Sequence, residues 1–339
     1  METKRANIKD VAKKANVSTA TVSNVMNSSR FVKEETRIRV LQAMEELNYT
    51  PSAVAKSLKG KDTKVIGLII PILPNDTSAD FFLSLSNGVE SVLNKVGYKL
   101  VISNSGENIN NELEQINMFN TQFIEYIDGL IIAPTSNLGN ESNEGFNRYP
   151  AVYVDRKPNS LKKVDTVYSN NYSVTYEAIE MMVKKNKKKI AFFSGPIDVS
   201  STIERFEAYK DVLRRYQIAM NEDLIFVGES SFEEGYQMAK ELFSSQKVDG
   251  IIAVNNVIAM GVYKVLKENK IQIPEEVSFI AYDDFNWMEL TEPSITTIRQ
   301  PSFEMGQTAA KLLLERLEDH TKEPEEICIE STIVLRNSL

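Results

Sequence analysis

From Thr63 onward, short runs rich in aliphatic and β-branched residues alternate with longer helical patterns. The strand patterns are predicted at 65–70, 99–103, 129–133, 151–154, 190–194, 250–254 and 277–282. The helical patterns are predicted at 81–96, 111–125, 173–185, 203–216, 232–245 and 258–269. Alternating strands and helices predict parallel sheets covered on both faces, and about 270 residues suffice for two such lobes. We therefore expect a two-lobed α/β domain over residues 62–339.

Polar and aromatic residues follow five of the predicted strands. Because ligands of open parallel sheets bind beyond the carboxyl ends of the strands, these residues predict a binding cleft. Carboxylates, amides and guanidinium groups hydrogen-bond vicinal hydroxyls, and an aromatic ring packs on the apolar face of a sugar. No glycine-rich phosphate loop occurs, so a nucleotide site is not indicated. The residues concerned are Asp80, Phe81, Phe82, Asp155, Arg156, Ser201, Arg205, Asn255, Asn256, the pair Asp283-Asp284, and Trp287.

The first 49 residues have a different pattern, which predicts an all-α helix-turn-helix domain. Asn7 and Asp10 can form a capping box for a short helix, and after a break at Asn16 a second helix follows Ser18 as its cap. The second helix keeps Thr19, Ala20, Ser23 and Asn24 outside, a small polar row that suits a major groove. A third helix at 34–47 is predicted to close the core with Ile38, Leu41, Met44 and Leu47.

Charge divides the chain in the same way. Residues 1–61 contain twelve Lys and Arg against six Asp and Glu, whereas the remaining 278 residues contain 27 against 41. A basic first segment on an acidic protein is what binding of nucleic acid through that segment requires.

Residues 50–61 form a third segment between these two regions. Thr50 and Pro51 resemble a helix start, and Leu58 ends an apolar pattern about two turns long that has no core of its own. We expect a hinge helix that folds on DNA, where a pair of such helices could insert Leu58 between base steps of the minor groove.

Over essentially its whole length the chain resembles the LacI family of bacterial transcription regulators. The motifs that carry the resemblance are Ile8-Lys9-Asp10-Val11-Ala12, Val17-Ser18-Thr19, Thr21-Val22-Ser23 and Pro51-Ser52-Ala53-Val54-Ala55-Lys56-Ser57-Leu58. They are especially similar to the purine repressor branch. The resemblance implies that the DNA-binding positions are Ser18, Thr19, Thr21, Asn24, Arg30, Ala55, Leu58 and Lys59. Ala20 and Asn24 depart from the residues frequent in the family, so the operator sequence does not carry over.

The same resemblance implies an effector domain of the periplasmic sugar-binding type. It implies that the effector contacts Phe81, Phe82, Asp155, Ser201, Arg205, Asn255, Asp283 and Trp287. Val199 stands where the purine repressor branch has Arg, and a valine leaves a buried purine carbonyl without a donor at a cost of about 1 to 3 kcal/mol. A second departure is Asn256, where the family usually has Asp. A sugar is therefore favoured over a purine.

Composition argues against other classes of protein. His320 and Cys328 are the only histidine and the only cysteine, so neither a Cys/His metal site nor a Cys-His catalytic pair is indicated. We expect no enzyme activity, no cofactor and no metal. The sequence contains neither an apolar leader nor a run of eighteen apolar residues, and we therefore expect a cytoplasmic protein without membrane spans.

Together these features predict a DNA-binding transcription regulator, a repressor that binds double-stranded operator DNA as a homodimer under control of a small effector, most simply a sugar. The alternatives are a purine-responsive repressor and a catabolite-control regulator gated by a phosphocarrier protein. An enzyme or a free sugar-binding protein is the alternative from another class, and the basic first segment argues against it. The sequence leaves open which effector binds, whether it acts as an inducer or a corepressor, which operator is bound, and whether dimers pair further.

Overall fold

The computed structural model describes residues 7–27, 30–47, 49, 63–73, 79–120, 127–135, 149–158 and 163–339. The chain forms two compact units, Met1–Thr63 and Lys64–Leu339. The predicted hinge helix, with Ala55, Leu58 and Lys59, lies outside the described residues. No helix in the described part of the chain is long and apolar enough to span a bilayer.

The described part of the first unit contains three helices, α1 (Ile8–Ala15), α2 (Thr19–Asn27) and α3 (Glu34–Glu46). Asn7 and Asp10 form the predicted capping box of α1, and Asn16 ends that helix in a left-handed conformation with φ of 53°. Asn16 tolerates this conformation because a short amide side chain fits the left-handed region. Ser18 caps α2 by accepting a hydrogen bond from the amide of Thr21 at 3.1 Å.

The core of this unit corrects one prediction about α3. Val40 and Ala43 are buried against α1 and α2, whereas Ile38 and Leu41 are each 47% exposed. Met44 and Leu47 are partly buried, as expected. Both apolar rows follow helical spacing, so periodicity alone could not tell which row faces inward.

The second unit contains twelve strands and eight helices in the described residues. The strands are β1 (Val65–Ile70), β2 (Lys99–Asn104), β3 (Gly129–Ile132), β4 (Ala151–Val154), β5 (Thr166–Ser169), β6 (Ile190–Ser194), β7 (Ile225–Val227), β8 (Gly250–Ala253), β9 (Ser278–Tyr282), β10 (Thr296–Arg299), β11 (Glu326–Ile329) and β12 (Thr332–Val334). The helices are α4 (Ala79–Leu93), α5 (Ile109–Asn120), α6 (Asn171–Lys184), α7 (Ser200–Arg215), α8 (Phe232–Ser245), α9 (Asn256–Glu268), α10 (Asn286–Glu289) and α11 (Ser302–Glu318).

These strands form two six-stranded sheets, one for each lobe. The first lobe has the order β11-β5-β4-β3-β1-β2 and the second β12-β10-β9-β8-β6-β7. All recorded pairs are parallel except β10 with β12, which is antiparallel. The chain passes between the lobes after β5, after β10 and after β11. The residues that follow these three strands therefore lie together at the junction of the lobes.

Buried strands and close helix contacts hold each lobe together. Strands β3, β6, β8 and β9 are buried throughout, as expected for parallel strands covered on both faces. In the first lobe α4 and α11 approach so closely that a Cβ on Gly306 would overlap the carbonyl oxygen of Leu85. Glycine is required there because the two backbones are in contact.

Every strand predicted from the sequence is present, with ends that differ by at most one residue. The predicted helices are also present, although residues 121–125 of the second one lie outside the described part. Strands β5, β7, β10, β11 and β12 and helices α10 and α11 were not predicted. The strands that were not predicted have three or four residues each. β3, β4 and β8 are equally short but wholly apolar, whereas β5, β10, β11 and β12 include polar residues and β7 has only three residues. Helix α11 had a readable pattern, since Met305, Ala309, Leu312 and Leu313 follow the spacing of a buried face.

Candidate functional site

A cavity of about 380 Å³ lies between the two lobes, at the carboxyl ends of the strands. This is the position that the topology of open parallel sheets favours for a ligand. Residues from both lobes form its wall, so closing the lobes would enclose whatever binds there. Seven of the eight predicted effector-binding residues line it: Phe81, Phe82, Asp155, Ser201, Arg205, Asn255 and Asp283.

Trp287 is the predicted residue that the structure places elsewhere. It lies on α10, packs against the core of the second lobe with its ring centroid 6.1 Å from that of Tyr263, and faces a neighbouring opening. The reason is local geometry, because α10 starts four residues after the end of β9 and carries the indole past the strand ends. Proximity to Asp283 in the sequence does not bring Trp287 into the cavity.

Arg205 of α7 is extensively hydrogen-bonded in the wall of the cavity. Its guanidinium donates two hydrogen bonds to Oδ1 of Asn171, at 2.9 and 2.7 Å, and one to the carbonyl of Val254 at 2.7 Å. A fourth bond reaches Oε1 of Gln300 at 3.2 Å, and the guanidinium stacks on the ring of Tyr282 at 3.8 Å. Because these bonds fix both the position and the plane of the guanidinium, it is a preorganised donor in the cleft.

Gln300 connects the cavity with the junction of the lobes. It follows β10, where the chain crosses back to the first lobe, and its amide nitrogen donates to Oδ1 of Asp283 at 2.7 Å. Its carbonyl oxygen accepts from Arg205 and from the hydroxyl of Ser169 at 3.1 Å. The three bonds join the end of β5, the end of β10 and the two charged groups of the second lobe.

The wall from the first lobe contains a second arginine, which is half-buried. Arg156 donates to both carboxylate oxygens of Glu107, at 2.9 and 2.6 Å, and to the carbonyls of Pro134 and Thr135 at 3.0 and 3.1 Å. Its Nε lies 3.5 Å from the Asp155 carboxylate. Bidentate pairing of this kind holds the Asp155 loop in one geometry.

Asp155 and Asp283 occupy equivalent places in the two lobes. Each follows a buried strand directly and has a left-handed backbone, with φ of 70° and 59°. Aspartate adopts the left-handed region more readily than most residues, so the chain can turn directly after each strand at these two positions. Burial raises the pKa of both carboxyls, and the charge on Arg205 opposes that rise in each case.

Asp284, the next residue, faces away from the cavity. Its carboxylate lies 2.6 Å from Arg336 and accepts from Thr297 at 2.7 Å. Burial opposes ionisation of Asp284, but hydrogen bonds from Arg336, Thr297 and Arg299 outweigh it and lower its pKa. Of the Asp-Asp pair, Asp283 alone therefore serves the cavity.

The remaining walls are an aromatic pair, a helix cap and an apolar residue. Phe81 and Phe82 meet edge to face with ring centroids 5.1 Å apart. Oδ1 of Asn255 caps α9 by accepting hydrogen bonds from the amides of Val257 and Ile258, and the same residue lines the cavity. Val199 is 7% exposed and presents hydrocarbon to the cavity.

The cavity as a whole is rich in negative groups. Five carboxyl side chains line it against two guanidinium groups. Such a wall binds hydroxyl groups well, because carboxylates accept and guanidinium groups donate, but it repels an anionic ligand. A direct hydrogen bond between the lobes also lies at its edge, from the amide of Lys157 to Oγ of Ser200 at 2.8 Å.

Several residues of this site were missed by sequence reasoning. Asn171 and Gln300 follow β5 and β10, two short strands that were not predicted, so the rule that locates polar groups at strand ends did not reach them. Glu107 and Thr135 follow β2 and β3, which were predicted, so the same rule applied to those strand ends could have found them. In the structure they are distinguished by their hydrogen bonds with Arg156, which are a tertiary feature.

The second candidate site is the exposed side of α2. Thr19 and Ala20 are exposed, as is Arg30, whereas Thr21, Ser23 and Asn24 are half-buried. The hydroxyls of Ser18 and Thr21 lie 2.9 Å apart at the start of the helix. Residues 11–33 contain no carboxylate, and their Lys and Arg side chains are exposed. A helix start with hydroxyls, amide donors and exposed cations suits contact with phosphates and base edges.

The described part of the chain does not bring together side chains for a metal site, and its histidine lies outside the cavity. No cluster of three or more His, Cys, Asp and Glu side chains there could hold a metal ion. His320 is exposed just after α11 and does not line the cavity.

Comparison with known families assigns both units. Residues 7–52 match the family described as bacterial regulatory proteins, lacI family. Residues 179–339 match the periplasmic binding protein-like domain.

Curated relatives and solved structures agree with this assignment. The chain is 37% identical over 311 residues to the ribose operon repressor of Bacillus subtilis (strain 168), covering 91% of each protein. It is 33% identical over 338 residues to the HTH-type transcriptional repressor PurR of Vibrio atlanticus (strain LGP32), covering 98% of each. The lac repressor dimer bound to operator and the anti-inducer ONPF has the same fold, with a TM-score of 0.80, 23% identity and 99% coverage of both chains.

Proposed function

This chain belongs to the LacI family of bacterial regulatory proteins, and from that membership we propose that it is a repressor controlled by a neutral monosaccharide. D-ribose or a close relative is the sugar that the cavity and the relatives favour. The repressor binds operator DNA through α2, and the sugar binds between the lobes of the second unit. The protein works in the cytoplasm, where its DNA is, and has no enzymatic role.

The single observation that carries the choice of effector is the polar frame around Arg205. A guanidinium held by four hydrogen bonds, with Asp283 and Asn255 from the same lobe and Asp155 from the other, offers donors and acceptors to adjacent hydroxyls. Phe81 and Phe82 add the apolar surface on which a sugar ring packs. A relative at 37% identity is named for the ribose operon, which supports a pentose.

The cavity disfavours the other effectors. Its excess of carboxyl groups opposes sugar phosphates, which would enter with two negative charges near Glu107, Asp155 and Asp283. A purine would leave polar edges unpaired beside Val199, at a cost of about 1 to 3 kcal/mol for each buried group. Similarity to purine repressors is thus similarity of family and not of effector.

Two copies are needed for DNA recognition. A single helix reads too few bases for selection among the sites of a genome, whereas two linked helices read both halves of a palindrome. We therefore propose a homodimer, the state in which the lac repressor structure was solved on its operator.

A calorimetric titration tests the effector directly. D-ribose should bind the full-length protein, and D-ribose 5-phosphate, hypoxanthine and cellobiose should bind far more weakly. Asp283→Asn should weaken D-ribose binding by about tenfold or more, since a charged acceptor becomes a neutral one. Asp223→Asn is the matched control, because Asp223 is an exposed residue of the same lobe.

Operator binding then links the sugar to regulation. Titration of a palindromic operator with and without D-ribose should give different affinities, in either direction. If no neutral sugar binds, or if Asp283→Asn binds as the wild type does, the cleft is not a sugar site. The alternative gated by a phosphocarrier protein would then be preferred, and a pull-down with that carrier would test it.

A further inference from the structure

Glu112 of α5 is a buried carboxyl that does not line the cavity. Its side chain has no exposed surface, and its Oε2 accepts a hydrogen bond from the amide of Thr135 at 2.7 Å. Its second oxygen, Oε1, has no hydrogen-bond partner among the residues that the structure describes. Burying a charge with only one such bond is costly, so the position calls for an explanation.

Thr135 links Glu112 to the cleft. It follows β3 in the first lobe, is 4% exposed and lines the cavity. While Glu112 holds its amide, Arg156 holds its carbonyl at 3.1 Å. Arg156 also pairs with Glu107 and lies beside Asp155. The Thr135 backbone is therefore hydrogen-bonded on both sides, by Glu112 at its amide and by Arg156 at its carbonyl, and Arg156 lines the cavity.

The groups around Glu112 act on its ionisation in opposite directions. Burial raises its pKa to about 7, whereas the hydrogen bond from the Thr135 amide and the charge on Arg156 favour the ionised form. Glu107 repels it weakly. Tyr153 also faces it, and burial together with the charge of Glu112 raises the pKa of that phenol. A neutral side chain at this position would avoid the free-energy cost of burying a carboxylate. The presence of a carboxyl here therefore indicates a role in the cleft, through its hydrogen bond to Thr135.

We propose that Glu112 is a positioning residue of the effector cleft, whose ionised carboxylate fixes Thr135 and through it Arg156, so that protonation weakens the hold on the effector. The identity of the effector rests on the proposed function. The positioning of Thr135 does not, because it can be followed without a ligand.

Three variants of the full-length protein separate positioning from simple packing. Glu112→Gln keeps an oxygen acceptor for Thr135 but cannot titrate. Glu112→Met keeps the volume and removes the acceptor. Glu114→Gln is the matched control, since Glu114 is an exposed residue of the same helix.

The readout that needs no ligand is hydrogen exchange of the Thr135 amide, measured by NMR at pH 8. Glu112→Met should lose about tenfold or more in protection relative to the wild type. Glu112→Gln should lose about several-fold, because a neutral amide oxygen accepts more weakly than a carboxylate, and Glu114→Gln should retain the protection. Equal protection in the wild type and Glu112→Met would overturn the proposal. This readout decides the matter even if D-ribose fails to bind and the proposed function is wrong.

The second readout is the affinity for D-ribose between pH 6 and pH 8. Wild-type affinity should fall several-fold toward pH 6 as Glu112 gains its proton, and Glu112→Gln should lose that part of the pH dependence. Asp155 and Asp283 remain in all variants, so their contribution cancels in the comparison. A pH profile of Glu112→Gln that matches the wild type would also overturn the proposal.

The third readout is the melting temperature. A carboxyl whose pKa is raised in the fold binds more protons folded than unfolded, so stability falls as pH rises from the ordinary glutamate value to about 7. Glu112→Gln should therefore melt higher than the wild type at pH 8, and the difference should vanish near pH 5. A merely structural role predicts a variant that melts lower at both values, and that result would contradict the proposal.

Discussion

Replacing Arg205 by lysine tests whether the geometry of the guanidinium, and not its charge alone, builds the cleft. An ammonium keeps the positive charge near Asp155 and Asp283 but is a single point with three donors. The acceptors around Arg205 belong to Asn171, Val254 and Gln300 and lie on different sides of the guanidinium. Lysine therefore cannot satisfy all of them.

The size of the effect follows from the bonds that are lost. We expect two of the four hydrogen bonds to fail, at about 1.5 to 3 kcal/mol each for a charged donor, or about 3 to 6 kcal/mol in total. For a unit of this size, each kcal/mol lowers the melting temperature by about 2 to 4 °C, so a loss of about 10 °C is expected. D-ribose affinity should fall by tenfold or more, because the plane that orients the donor is lost.

Calorimetric melting and D-ribose titration of Arg205→Lys give both numbers. Arg214→Lys is the control on the same helix, where a side chain that is 77% exposed pairs with Asp211 and should change neither quantity measurably. If Arg205→Lys melts within about 2 °C of the wild type, the hydrogen bonds of Arg205 do not stabilise the second unit by the expected amount. If it also binds D-ribose normally, Arg205 does not organise the site.

Three further predictions concern the DNA-binding unit and the first lobe. Asn7→Ala removes the capping box of α1 and should destabilise the first unit by about 1 kcal/mol, seen as an earlier melting transition of that unit; an unchanged transition would contradict it. Arg30→Gln should reduce the slope of log affinity against log salt concentration for operator DNA by about one, since one phosphate contact releases about one counterion. An unchanged slope would show that Arg30 does not contact a DNA phosphate. Gly306→Ala should lower the urea midpoint by an amount equivalent to about 1 to 3 kcal/mol, because α4 and α11 must separate; an unchanged midpoint would show that the contact yields freely.

Much of the architecture could be inferred from local pattern. The strands from β1 to β4 and β6, β8 and β9 were found because buried parallel strands are continuous apolar runs, and their ends located seven of the eight predicted cleft residues. The capping box at Asn7 and the cap at Ser18 were equally readable. These features depend on residues within a few positions of one another, the range over which the helical period of 3.6 residues and the strand period of 2 residues can be recognised.

The errors have a common cause. Ile38 and Leu41 fit helical spacing as well as Val40 and Ala43 do, and only packing against α1 and α2 selects the buried row. Trp287 stands close to Asp283 in the chain, yet α10 turns it toward another opening.

What joins the cleft together is nonlocal. Arg205 meets Gln300 across 95 positions, and Glu112 meets Thr135 across 23 through a sheet that places β3 beside α5. The first contact depends on how the end of β10 packs against α7, and the second on how α5 packs against the sheet of the first lobe, and no repeat in the chain encodes either arrangement. Local periodicity sets the type and the approximate extent of an element, because these need only near neighbours, whereas packing chooses between competing apolar rows, as it does in α3. The partners of a buried polar group follow from the packed fold, because an unsatisfied donor or acceptor is costly only once distant segments have excluded water.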